Sequence, residues 1–485
     1  MNPLLLTDGY KVDHRRQYPE GTTLVYSNWT PRKSRIEGVD KVVFFGLQYF
    51  IKKYIIQDFK NDFFNQPKEE VVKRYARRIN NYLGENLVGT EHIEQLHDLG
   101  YIPMVFKALP EGSSVPTRVP MFTMYNTKPE FFWLTNYFET LLSAVVWMPC
   151  NSASIAKKYR EVLDRYAAET SSAPGFVDWQ GHDFSMRGMA GIEAAVTSSA
   201  GHLLSFTGTD TIPAIDFLEE YYNANSDKEL IGGSVAATEH SVMCMGTTSG
   251  EFETFKRLIL DVYPKGVVSI VSDTWDLWKV LTDYLPRLKN EIVQREGKVV
   301  LRPDSGNPVD IICGNPAGKT SEEKKGVIEL LWDVFGGSTN SKGYKELVPQ
   351  IGAIYGDSIT IDRATQICER LKAKGFSSTN VVLGIGSYTY QYNTRDTFGF
   401  AMKATYGEVN GEGREIFKDP VTDDGTKKSA KGLMKVVLEN GNYKLIDQVS
   451  WEEEKSGELK EVFRDGKLLL DDSLSEIRKR VRMTK

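Results

Sequence analysis

A cation, a carboxylate, a hydroxyl and a glycine follow one another in Arg302-Pro303-Asp304-Ser305-Gly306, directly after the apolar run Val299, Val300, Leu301. Such a run suits a strand buried on both faces. In α/β folds ligands bind at the carboxyl ends of buried strands, because loops there vary without breaking the sheet. Taken alone, the segment reads equally well as a strand closed by an Asp-Ser-Gly turn. The pattern recurs, however. Residues 267–270 lead into Ser272 and Asp273, residues 351–355 into Gly356, Asp357 and Ser358, and residues 381–383 into Gly384, Ile385, Gly386 and Ser387. That gathers Asp273, Arg302, Asp304, Asp357 and a Gly-x-Gly loop on one rim. Carboxylates beside an arginine suit sugar hydroxyls and a metal, and the N–H groups of a Gly-x-Gly turn suit a phosphate. The implied chemistry is recognition of a phosphorylated sugar.

Elements must bring these groups together. Four apolar runs separated by helical patterns, such as residues 275–285 and 364–374, have the rhythm of successive βα units. An α/β barrel is therefore expected over residues 151–390. Earlier in the chain, residues 24–29, 101–109 and 119–125 read as strands, and residues 44–100 as helices. Residues 130–146 form an apolar helix ending near Pro149, and residues 154–170 an amphipathic one. After 390 the texture turns to strands, at 398–406 and 433–446, with Asn440-Gly441 and Asp465-Gly466 as hairpin turns. This tail is expected to pack with the N-terminal part, giving one discontinuous α+β domain from 1–150 and 391–485. The last residues, SLSEIRKRVRMTK, read as a short basic helix facing solvent.

Composition narrows the class. The chain has 485 residues and a net charge of −5 without a long basic tract, which argues against a nucleic-acid partner. Its four cysteines are widely spaced and form no CxxC, which suits reduced thiols in the cytoplasm better than disulfides or zinc. No signal peptide pattern opens the sequence and no apolar run approaches the length of a membrane span.

Further polar groups cluster outside the four runs. Residues 176–191 hold His182, Asp183, Phe184 and Arg187 among three glycines. Asp210 follows Phe206-Thr207-Gly208-Thr209, another strand end, where an aspartate is most often a helix cap. His240 follows Glu239 near a helix start, a setting more common for a structural histidine. Asp8 suits the cap of a short helix carrying Tyr10 and His14, and Arg32, Lys33 and Arg35 read as a solvated loop. Two motifs fail. Residues 314–320 (GNPAGKT) have Cys313 where a P-loop needs its first glycine, and Gly384-Ile385-Gly386 lacks the third glycine of a dinucleotide fingerprint.

TDGYKVDHRRQYP, GHDFSMRG, GTDT, ATEHS, VSDTWD, RPDSGNP, YGDSIT and FKDP, in this order, resemble the nicotinamide phosphoribosyltransferase family over residues 5–431. The resemblance implies a type II phosphoribosyltransferase fold and a homodimer with shared active sites. It implies that nicotinamide and phosphoribosyl pyrophosphate give nicotinamide mononucleotide and pyrophosphate, with Mg²⁺, and with ATP as co-substrate through a phosphorylated histidine. By motif, Phe184 and Tyr10 of the partner subunit would sandwich the pyridine ring, and Asp210 would accept from the carboxamide. Arg187 would hold the amide or nearby phosphate oxygens. Arg302, Asp304 and Asp357, with Gly356, would grip the ribose, and Asp273 and Asp304 would help hold Mg²⁺. Gly384 and Gly386 would bind the 5′-phosphate. Arg32, Arg395, Lys403 and Lys418 would reach phosphates from the other subunit. His240 would be the phosphorylated histidine, with Glu239 and Asp273 as candidates to orient its ring.

Three alternatives remain at this level. A nicotinate phosphoribosyltransferase would prefer the acid. A non-catalytic barrel would bind a nucleotide without turnover. A sugar-phosphate aldolase or isomerase would need a Schiff-base lysine or an acid–base pair that the rim motifs do not offer.

Overall fold

The computed structural model describes residues 1–356, 358–418 and 430–483, so the expected site residue Asp357 lies outside the described residues. The chain divides into two compact units. One comprises Met1–Ser154, Phe217–Ala224 and Asn393–Lys485, the other Ile155–Asp216 and Asn225–Tyr392. Sequence texture puts the divisions at 150 and 390 and gives no hint that Phe217–Ala224 leaves the barrel region. The reason is aromatic packing: Phe217 and Tyr221 sit 4.7 and 4.8 Å from Tyr49, and Tyr222 sits 4.8 Å from Phe45.

The second unit is a curled parallel sheet. Its strands are β1 (Gly181–Asp183), β2 (Gly208–Thr209), β3 (Ala236–Ala237), β4 (Gly266–Val271), β5 (Gly297–Arg302), β6 (Ile351–Tyr355) and β7 (Val381–Ile385). They run in the order β2-β1-β7-β6-β5-β4-β3, and a parallel bridge between Gly208 and Gly233 brings the two edges together. The last four are the apolar runs read from the sequence; the first three are too short for periodicity to mark. In β5, Val299 and Leu301 are fully buried, whereas Lys298, Val300 and Arg302 line an internal cavity of about 640 Å³. The strand alternation thus aims Arg302 inward. Helices between strands carry side-chain caps: Thr360 Oγ1 accepts from Arg363 N at 3.2 Å, and Thr320 forms a capping box with Glu323. Gly314 follows the helix Pro308–Cys313 and Thr320 caps the next, so the P-loop look-alike joins two helices.

The first unit holds an antiparallel sheet of seven strands. Their order is Glu412–Glu415, Ala401–Val409, Thr22–Thr30, Phe122–Asn126, Met104–Ala108, Lys460–Arg464 and Lys467–Leu468. Strands from both ends of the chain thus interleave, as the strand-rich tail suggests. Trp29 is fully buried, with Phe400 at 5.4 Å and Phe122 at 6.1 Å in near-parallel planes. Both hairpin signals hold. Asn440 and Gly441 take φ of 51° and 75°, and Asp465 and Gly466 take 48° and 81°, the geometry of a primed two-residue turn.

Two expectations need correction. The helix Glu139–Thr170 continues through Pro149 instead of ending there. Proline removes its own donor and crowds the carbonyl one turn back, yet the helix runs on past it, and Ser154 Oγ donates to Cys150 O at 2.6 Å in the following turn. The terminal helix Leu474–Met483 is not merely solvated: it buries Leu474, Ile477 and Val481, and Arg480 bonds both Asp472 carboxylate oxygens. Apolar residues at i, i+3 and i+7 are what seat it. Among the described residues no helix is long and apolar enough to cross a membrane.

Candidate active site

The carboxyl ends of β1 and β2 build one corner of the barrel rim. Strand alternation turns His182 and Phe184 to the cavity, with ring centroids 4.4 Å apart, and Asp183 away from it. Asp183 is fully buried but saturated. Its Oδ1 accepts from Ser185 N (2.9 Å) and Oγ (2.6 Å), and its Oδ2 from Thr209 and Thr211 hydroxyls (3.0 Å each). Burial opposes its charge, but His202 and these donors outweigh it and hold the pKa below the ordinary value. This network locks β1 to β2, and so fixes Phe184 relative to Asp210. Phe184 N also donates to Ile385 O at 2.9 Å, tying the ring to β7.

Asp210 closes the corner. It is not a simple helix cap: its Oδ1 accepts from His182 Nε2 at 2.8 Å and from Ser234 Oγ at 2.6 Å. Burial pushes its pKa up, but those two donors and the Arg302 charge prevail, and the net direction is down. Asp210 is therefore a carboxylate at neutral pH, bonded to the imidazole that packs against Phe184.

The ends of β4, β5 and β6 build a second corner. Asp273 Oδ2 accepts from the backbone N–H groups of Asp304 (2.8 Å) and Ser305 (2.7 Å), which fixes the turn after β5. Its Oδ1 lies 3.3 Å from His240 Nε2. The Asp273 side chain is buried, while half of the His240 imidazole is exposed at the start of the helix His240–Met245. Glu239, the other candidate to orient that ring, instead holds the Ser241 hydroxyl. Arg302 Nε stands 3.5 Å from Asp304 Oδ2. A Cβ on Gly356 would fall 2.0 Å from Asp304 Oδ1, so only glycine lets that carboxylate lie across the end of β6.

Gly384 lies within β7 rather than in a loop; a Cβ there would meet Tyr355 O at 2.7 Å. Gly386 opens a single helical turn, Ser387–Tyr390. Arg187 is exposed on the turn Met186–Gly188.

The other predicted residues belong to the first unit. Tyr10 is 62% exposed on a single turn, Gly9–Lys11, with its ring 5.2 Å from that of His14. Asp8 occupies the cap position, yet its carboxylate accepts from Thr140 Oγ1 at 2.7 Å instead of capping. Lys403 pairs in register with Asn28 on the neighbouring strand. Its pKa is lowered by burial and by the charges of Arg32, Lys418 and Arg395, so four cations share one neighbourhood. Mutual repulsion of this kind is relieved by a bound anion. Arg32 is exposed in the loop that follows Thr22–Thr30, as the sequence suggests, and its Nε donates to Gly399 O at 2.8 Å.

Sequence reasoning named Phe184 and Asp210 but assigned nothing to His182 or Ser234. The period-2 relation of His182 to Phe184 is a usable signal for the histidine; nothing local marks Ser234. For magnesium, Asp273 and Asp304 supply hard oxygen donors from the neighbouring loops after β4 and β5. Among the described residues no three metal-ligating side chains cluster, so Asp273 and Asp304 by themselves do not fill an octahedral shell. The pair fits an ion that keeps waters and substrate phosphates as its other ligands.

Comparison with known proteins follows the same lines. Residues 179–467 match the model of the nicotinate phosphoribosyltransferase (NAPRTase) family, and residues 2–96 match the nicotinamide phosphoribosyltransferase N-terminal domain. The nicotinamide phosphoribosyltransferase of Acinetobacter baylyi is 55% identical over 493 residues, covering 99% of this chain and 97% of that protein. That of Mycoplasma pneumoniae is 37% identical over 454 residues, covering 88% and 94%. Among solved structures, nicotinate-nucleotide pyrophosphorylase from Pyrococcus furiosus superposes with a TM-score of 0.57 at 13% identity, covering 99% of this chain and 95% of that one. Human nicotinic acid phosphoribosyltransferase gives 0.53 at 14%, covering 99% and 93%. The fold is thus the type II phosphoribosyltransferase fold, an α/β barrel with a discontinuous α+β part. Joined to the identities over nearly the whole length, this establishes that the chain belongs to the nicotinamide phosphoribosyltransferase family.

Proposed function

We propose that this pentosyltransferase joins nicotinamide to phosphoribosyl pyrophosphate, releasing nicotinamide mononucleotide and pyrophosphate in NAD salvage. The observation that carries the choice of base is the ionised Asp210 bonded to His182, whose ring lies 4.4 Å from that of Phe184. A carboxylate accepts from a carboxamide NH₂ and repels a carboxylate, so the amide is favoured over nicotinate. The amide-type curated relatives agree with this reading.

The chemistry asks little of a nucleophile, because the pyridine nitrogen is one. As pyrophosphate leaves C1, the ribose gains oxocarbenium character, and the protein's task is positioning and charge stabilisation. Phe184 would carry one face of the pyridine ring and Tyr10 of the partner subunit the other. Arg302 and Asp304 would hold the ribose, with Asp357 and the Gly356 backbone. Arg187 would serve nearby oxygens, and the Gly384–Gly386 backbone the 5′-phosphate. Arg32, Arg395, Lys403 and Lys418 would neutralise phosphates in a homodimer. When bound at Asp273 and Asp304, Mg²⁺ would supply positive charge for the departing pyrophosphate. ATP would act as co-substrate through His240. Asp273 Oδ1, 3.3 Å from Nε2, would orient the ring so that Nδ1 faces the phosphoryl group it would accept. A cytoplasmic setting suits these reactants.

Turnover with phosphoribosyl pyrophosphate and Mg²⁺, offering nicotinamide and nicotinate side by side, with and without ATP, tests the proposal. A strong preference for nicotinamide, lost in Asp210→Asn, is expected. Preference for nicotinate would overturn the choice of base, and absence of turnover with either would overturn the reaction.

A further inference from the structure

We infer that His182 and Ser234 are positioning residues that set base selectivity by fixing which oxygen of Asp210 is left to meet the ligand. This rests on the reading of Asp210 as the group that contacts the amide. Both donors converge on one atom: His182 Nε2 and Ser234 Oγ lie 2.8 and 2.6 Å from Oδ1. An ionised carboxylate only accepts, so Nε2 carries the imidazole proton and the serine hydroxyl points at Oδ1. With two donors Oδ1 is saturated, and Oδ2 keeps its accepting capacity.

Exposure sets the direction. The His182 side chain is 9% exposed and that of Asp210 43%, so the imidazole braces the carboxylate from the buried side. The three residues come from three adjacent places on the barrel: β1, the end of β2 and the segment that bridges to Gly208 ahead of β3. The clamp is therefore anchored in the sheet rather than in one loop. The same imidazole lies 4.4 Å from the Phe184 ring, so one side chain supports both the stacking face and the carboxylate. A pyridine carboxamide presents its NH₂ to Oδ2 at a fixed angle. Without the clamp the carboxylate rotates, its hydrogen bond to the amide is lost for part of the time, and its repulsion of an acid is no longer aimed.

The test measures kcat, KM for nicotinamide, KM for phosphoribosyl pyrophosphate, and the nicotinamide-to-nicotinate ratio of kcat/KM. The variants are Ser234→Ala, Ser234→Thr, His182→Phe, His182→Gln and Asp210→Asn of the full chain. Ser234→Ala and His182→Phe should each raise KM for nicotinamide roughly tenfold, the scale of a hydrogen bond to a charged group. Both should lower the selectivity ratio while kcat and the KM for phosphoribosyl pyrophosphate hold. Ser234→Thr and His182→Gln, which keep a donor, should restore most of both. Because His182 is buried and its replacement can disturb the barrel, the exposed Ser234→Ala carries the decision. Wild-type KM and ratio in Ser234→Ala, or an equal loss for both substrates with reduced kcat, overturns the clamp. If Asp210→Asn also leaves the ratio unchanged, the underlying reading of Asp210 has failed. If it collapses the ratio while Ser234→Ala does not, the clamp alone has failed.

Discussion

At the scale of single residues, function here depends on groups held by the backbone around them. Asp273 holds the turn that presents Asp304, and Gly356 leaves room for that carboxylate. Gly356→Ala therefore places a methyl 2.0 Å from Asp304 Oδ1 and 3.3 Å from Arg302 Cδ. The φ of Gly356 lies outside the left-handed region, so alanine does not strain the backbone. The variant should fold with a near wild-type melting temperature yet lose about a hundredfold in kcat/KM for phosphoribosyl pyrophosphate, the cost of misplacing a reacting group by about 1 Å. Thermal melting beside steady-state kinetics checks it; an unchanged kcat/KM would mean that Asp304 can stand elsewhere. The site carboxylates could be read from the sequence because a strand end and its turn are local. The Asp210 clamp could not, because its serine reaches it only once the barrel curls.

At the scale of elements, several supports come from distant parts of the chain. The helix Leu47–Phe50 begins after Gly46, which has no side chain to cap it. Glu111 supplies the cap from across the unit, accepting from Gly46 N at 3.1 Å and Gln48 N at 2.7 Å. Its carboxyl is fully buried, and desolvation, only partly offset by those donors, pushes its pKa up to about 7. The folded state thus binds this proton more tightly than the unfolded chain, whose glutamate titrates near 4.3. Between these values the folded form holds more protons, so unfolding free energy falls as pH rises through roughly 4.3 to 7. Denaturant unfolding at several pH values should show this slope, and Glu111→Gln should flatten that part of it. An identical slope in the variant would assign the dependence to other groups. The hairpin turns were legible for the opposite reason: Asn440-Gly441 and Asp465-Gly466 need no distant partner.

At the scale of the molecule, the first unit is closed by residues from both ends of the chain. Lys107, on Met104–Ala108, meets Glu454, at the end of Trp451–Glu454, with Nζ 2.7 Å from Oε2 and both side chains at most 4% exposed. Removing one partner strands a buried charge. Glu454→Gln should therefore cost about 3–5 kcal/mol, whereas Lys107→Met with Glu454→Leu should recover most of it. Chemical denaturation of the two variants decides, and a double variant no better than the single would show that the pair itself stabilises the unit. Composition foretold that the ends would meet, because the tail turns strand-rich where the barrel stops. It could not foretell which strands pair, since register is set by burial of whole faces. That pairing also governs the order of events on the ribosome. Thr22–Thr30 must wait for Ala401–Val409, made about 370 residues later. At typical rates of synthesis the interval is roughly 20–70 s. Through that interval the nascent chain carries an unpaired sheet edge while the barrel segments emerge, which makes the early strands natural clients for chaperones.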